Sequence, residues 1–108
     1  MTIARLWRTR IDLTRAEEYE RFAQSVSLEM FRSQPGFVAV TMYRRAEECA
    51  VLTLWETEAA AAALECAESY LKTVAQIKAS GFLRPPQTVE IGAVHVLHAR
   101  SSEDAIPQ

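Results

Sequence analysis

Glycine is scarce in this chain, and the three that occur, Gly36, Gly81 and Gly92, stand far apart. That spacing leaves no glycine-rich loop to cradle a phosphate through its backbone amides. Only two histidines occur, His95 and His98, and no serine lies in a nucleophile-elbow sequence, which leaves a Ser/His/Asp hydrolase without its parts. The two cysteines, Cys49 and Cys66, lack CxxC spacing and suggest neither a disulfide framework nor a zinc site. No metal site is expected. No apolar run approaches the roughly 20 residues that span a bilayer, so a membrane is not an expected partner. The formal charge is -2 and Lys/Arg clusters are missing, which argues against nucleic acid, whose phosphates need a concentrated basic surface. The first ten residues, MTIARLWRTR, carry arginines where a secretory signal would be apolar, and a cytoplasmic location is the default expectation.

What is present fits one soluble globular domain. Of 108 residues, 49% are hydrophobic and 24% charged, an ordinary balance for a chain that buries a single core. The domain is expected over residues 1–98, with the polar segment 99–108 as a flexible tail.

Thr2 to Ile11 alternates as a strand, with Ile3, Arg5, Trp7, Thr9 and Ile11 on one side. Thr14 and Glu17 have capping-box spacing, and Tyr19, Phe22, Ala23, Val26 and Met30 follow at helical intervals up to Pro35-Gly36. Phe37 to Arg45 reads as a second strand, Ala46 to Cys49 as a hairpin, and Ala50 to Glu56 as a third strand. Thr57 is placed to cap a helix, with Glu58 in its first turn where the macrodipole favours negative charge. That helix is expected to run to about Lys78, burying Ala60, Leu64, Ala67, Leu71 and Val74, with Cys66 as a small hydrophobe beside Ala63 and Ala67. Ser80-Gly81 terminates it, and Pro85-Pro86 leads into a last strand, Thr88 to His98.

The order β-α-β-β-α-β predicts an α+β, ferredoxin-like fold, with an antiparallel sheet and both helices on one face. The other face presents either Val38, Val40 and Met42 or Ala50, Leu52 and Leu54, too apolar for water. A homodimer packed sheet to sheet is the expected remedy.

Three stretches carry a family resemblance: Pro35-Gly36-Phe37, Ala50 to Glu58 with its tryptophan, and Gly81 to Pro86. Through them the chain resembles the antibiotic-biosynthesis monooxygenase family of dimeric α+β barrels, over nearly the whole of residues 1–98. The resemblance implies oxygenation of electron-rich polyphenolic rings, such as anthrones, with no flavin, haem or metal; no cofactor is therefore expected. Trp55 matches the pocket tryptophan of the anthrone-type enzymes. Their strand asparagine falls at Val51 and their helix tyrosine at Ala61, while only Lys72 offers a charge near the place of their helix arginine. In the haem-degrading branch, the asparagine, tryptophan and iron-ligating histidine fall at Trp7, Leu64 and Val74, so haem degradation is disfavoured.

Several residues are candidates for chemistry. His95, on the strand side shared by Val89, Ile91, Ala93 and Leu97, reads either as a satisfied core residue or as a general base, a role that imidazole chemistry suits. His98 reads as solvated. Trp55 serves either as core or as a pocket wall. Should the Arg5 and Trp7 face meet the helices, Trp7 and Trp55 would flank a cavity with Tyr19, Phe22 and Tyr70 as further walls, the same set otherwise filling the core. Tyr43 and Arg44 offer a phenol and a guanidinium at a strand end. Two functions are therefore expected in competition. One is a cofactor-independent monooxygenase acting with dioxygen on an aromatic or quinone-forming molecule, with His95 and Trp55 catalytic and Trp7, Tyr19, Phe22, Tyr43, Tyr70 and Lys72 binding substrate. The other is a non-catalytic dimer that binds a small ligand.

Overall fold

A computed structural model describes residues 1–100. Residues 101–108, which hold most of the expected tail, lie outside the described residues. The β-branched and bulky apolar runs form four strands, β1 (Ile3–Ile11), β2 (Phe37–Arg45), β3 (Glu48–Trp55) and β4 (Leu83–Ala93). They make one antiparallel sheet in the order β2-β3-β1-β4, the ferredoxin-like arrangement that the element order implies. Ile3, Arg5, Trp7 and Thr9 stand opposite Trp55, Thr53, Val51 and Cys49, so all eight share one sheet face. The helices pack on that face.

The first helical stretch is built in three pieces: α1 (Ala16–Phe22), a π-helical turn (Ala23–Ser27) and α2 (Leu28–Arg32). In the wide turn the Leu28 amide donates to the Ala23 carbonyl, five residues back. The expected Thr14/Glu17 capping box does not form. Instead Asp12 accepts from the Thr14 amide and hydroxyl and starts a single 3-10 turn, Leu13–Arg15, after which Ala16 begins the helix without a side-chain cap. A carboxylate two residues ahead of Thr14 outcompetes the hydroxyl because its charge strengthens both bonds.

The hairpin between β2 and β3 is tighter than expected. Arg45 pairs with Glu48, leaving a two-residue turn in which Ala46 takes the left-handed conformation at φ 51°.

The second helix is divided into α3 (Glu58–Leu64) and α4 (Glu68–Ser80), where one continuous helix to Lys78 was expected. Thr57 caps α3 through the Ala60 amide. The amides of Glu65, Cys66 and Ala67 then bond to carbonyls three residues back, and Ala67 turns extended at ψ 130°. This break delivers Glu65 to the buried Arg5, whose charge could not stay unpaired. It also resets the helical phase. The buried residues are Ala61, Leu64, Thr73 and Ile77, while Leu71 and Cys66 are exposed and Ala60, Ala67 and Val74 only half-buried. Gly81 closes α4 at φ 79°, as its position predicts.

The last strand runs five residues earlier than expected, at both ends. Pro85 and Pro86 lie inside β4, tolerated because β4 is an edge strand and needs no outward amide there. The Val94 amide donates to the Thr2 carbonyl at the end of the ladder, so the alternation that continues to His98 has no partner to pair with.

On the opposite sheet face, Ala4, Leu6, Ala39, Leu52 and Leu54 are half-buried with Ala50 among them. Of the two expected outward sets, the one with Ala50, Leu52 and Leu54 is correct; Val40 and Met42 pair with Thr53 and Val51 and face the helices.

Candidate functional site

A cavity of about 250 Å³ lies between the sheet and the helices. Its walls come from both halves of the core: Met30, Phe31 and Val51 from a cluster around Trp55, and Tyr19 and Ile77 from a cluster around Phe82. Trp7 from β1 and Tyr70 from α4 complete the aromatic lining, and Ser27 of the π-helical turn also reaches it. The aromatic residues therefore surround a space and do not fill it.

One charged side chain sits in the cavity wall almost free of solvent. Arg5 is 2% exposed, and its guanidinium donates from Nε and Nη2 to Glu65 Oε1 at 3.1 and 2.8 Å. Nη2 also donates to the Tyr70 hydroxyl at 3.0 Å, with the guanidinium carbon 5.4 Å from the centre of the Tyr70 ring. Glu65 is half exposed, so the pair links the cavity wall to the surface. Thr73, Lys78 and Gln87 add polar groups to the lining. Burial pushes the Tyr19 phenol upward, with Cys49 beside it as the next cause, and burial likewise raises the Cys49 thiol. Tyr19 thus stays a neutral phenol at physiological pH, a hydrogen-bond donor and not an anion.

The expected site residues divide. Trp7, Tyr19 and Tyr70 come together around the cavity. Trp55 is wholly buried, its ring edge-on to Phe37 at 5.9 Å and its Nε1 donating to Thr53 Oγ1 at 2.8 Å, and it does not line the cavity. Phe22 packs edge-on to Phe82 at 6.4 Å in the second core cluster. Tyr43 projects from the uncovered sheet face, 56% exposed, and Lys72 is exposed on α4. Arg44 is bound to Glu20 and to the Ala46 carbonyl. The strand expected to hold His95 ends at Ala93; His95 is exposed beyond it and does not line the cavity.

Arg5 and Glu65 were absent from the expected site. The signal for Arg5 is a charge in the apolar row Ile3, Trp7, Ile11, where burial demands a partner. Glu65 has no such signal, because it reaches Arg5 only through the helix break.

No family model matches the sequence, and no curated protein does so either. Solved structures do match in three dimensions, over most of the chain. A protein of unknown function from Nitrosomonas europaea, NE2512, is 15% identical with a TM-score of 0.75, covering 94% of this chain and 96% of its own. SnoaB, a cofactor-independent oxygenase from Streptomyces nogalater, is 16% identical with a TM-score of 0.66, covering 89% and 95%. An antibiotic biosynthesis monooxygenase is 16% identical with a TM-score of 0.70, covering 85% and 97%. The fold of this chain is that of the antibiotic-biosynthesis monooxygenase structures.

Proposed function

We propose that the protein is a monooxygenase acting on an electron-rich aromatic molecule with dioxygen as co-substrate and no bound cofactor, in the cavity between sheet and helices. The observation that carries this reading is an open aromatic cavity with a buried guanidinium in its wall, on a scaffold shared with the oxygenase SnoaB. A deprotonated polyphenol can itself pass an electron to dioxygen, so the protein's task is to exclude water and hold the developing charge. Trp7, Tyr19, Phe31 and Tyr70 supply aromatic walls, and the Tyr70 hydroxyl sits against Arg5. In the overall reaction a ring methylene loses two hydrogens; one oxygen atom becomes the new carbonyl and the other leaves as water. Trp7, Tyr19 and Tyr70 are the expected site residues that this reading retains.

The same reading includes a homodimer joined through the uncovered sheet faces, supported by the apolar row Ala4, Leu6, Leu52 and Leu54. A second reading, a dimer that only binds its ligand, is favoured by one observation: neither histidine lines the cavity. Oxygen uptake with hydroxylated anthrones and naphthols separates the two. The monooxygenase reading expects one dioxygen consumed per ring oxidised, with Trp7→Ala lowering the rate at least tenfold. Saturable binding with no oxygen consumed across the panel selects the binder.

A further inference from the structure

We propose that Arg5 is the anion clamp of the cavity and that the ligand it accepts is a phenolate or enolate, docked through a single oxygen on Nη1. The inference rests on the reading of this cavity as the substrate site. Of the three guanidinium nitrogens, Nε and Nη2 are already engaged by Glu65 and Tyr70, whereas Nη1 has no hydrogen-bond partner among the described residues. No buried side-chain nitrogen or oxygen among the described residues lacks a partner, so Nη1 is left accessible, and the space that Arg5 lines is the cavity. Tyr70 accepts from Arg5 and makes no donor bond among the described residues, which leaves its O–H for the same ligand oxygen.

The pattern of occupied donors sets the ligand class. A carboxylate binds arginine best through two parallel N–H bonds from two nitrogens. Here one guanidinium nitrogen is left, and together with the Tyr70 hydroxyl it converges on one ligand oxygen, as a phenolate offers. The walls agree, because Trp7, Tyr19 and Phe31 are aromatic, and aromatic side chains pack well against a ring. The other charged groups lining the cavity are Glu65 and Lys78, and the titratable ones are Tyr19 and Tyr70. Glu65 offsets part of the Arg5 charge, so it moderates the clamp. Arg5 is thereby a specificity-determining residue, and Glu65 a positioning residue that holds the guanidinium in place.

The test uses p-nitrophenol, whose yellow phenolate forms near neutrality and whose electron-poor ring resists oxidation, titrated against the full-length protein under argon. The bound probe is expected to ionise about one pH unit lower than the free probe, equivalent to roughly tenfold preference for the phenolate. Arg5→Met should erase that shift and Tyr70→Phe reduce it. Glu65→Gln, which keeps an acceptor for Arg5, should enlarge it by removing the opposing charge. Benzoate should compete more weakly than p-nitrophenolate. An unshifted or upward titration, a shift surviving in Arg5→Met, no binding at millimolar probe, or benzoate competing equally would each overturn the proposal. Oxygen uptake without the shift defeats the clamp alone; the shift without uptake from any anthrone defeats the monooxygenase reading alone.

Discussion

Thr53 has no exposed surface, and its hydroxyl accepts the indole N–H of Trp55 while donating to the Arg5 carbonyl. Thr53→Val keeps the shape and strands the indole donor, so it should lower unfolding free energy by about 1–3 kcal/mol in urea titrations, with the slope unchanged. Gly36 is a second residue with a geometric demand. It sits at φ 78°, and a Cβ there would lie 2.6 Å from the Ala60 Cβ. Gly36→Ala should destabilise by more than about 1 kcal/mol, and Ala60→Gly in the same chain should restore only the steric part, leaving the left-handed strain visible in the melting midpoint. Trp7 was legible as a cavity wall because strand alternation fixes its face, whereas Trp55, on the same face, lost the cavity to the packing of Phe37 and α3 around it. Sidedness can be read from alternation; depth beneath the helices cannot.

At the scale of elements, the strands and caps with local causes were legible: Thr57 caps α3 and Gly81 closes α4 because each needs only its immediate neighbours. The division of α3 from α4 was not, since it answers to Arg5, some sixty positions away in sequence. An alanine-rich run has no local reason to stop. The Asp12 turn ahead of α1 yields a pH prediction. Bonds from the Thr14 hydroxyl and amide hold the Asp12 carboxyl below the usual carboxylate range, with Arg84 and Arg15 assisting. A folded pKa below the unfolded one contributes stability that is full above the ordinary value of about 3.9 and is lost as pH falls through the folded value. The melting midpoint should therefore drop on acidification below about pH 4, and Asp12→Asn, which still caps the turn, should flatten part of that drop in calorimetric scans.

For the whole molecule, the sheet has two unlike faces, one covered by helices and enclosing the cavity, the other presenting Ala4, Leu6, Leu52 and Leu54. The proposed sheet-to-sheet pairing predicts a mass near twice 12.1 kDa in sedimentation equilibrium, and Leu52→Asp should shift it to the single chain by placing a charge in the apolar patch. On the covered face, the proposed place of ligand chemistry is the cavity lined by Trp7 and Arg5, and not the surroundings of the buried Trp55. The chain holds only these two tryptophans. They give two indole N–H signals in a proton–nitrogen correlation spectrum, assigned by the loss of one in Trp7→Phe. The direct measurement is a titration of the labelled protein with a hydroxylated anthrone under argon, where binding occurs and turnover cannot. The Trp7 signal should move saturably while that of Trp55, bonded to Thr53 in the core, stays in place. Movement of the Trp55 signal with Trp7 unchanged, or of neither, would rule out this cavity as the binding site.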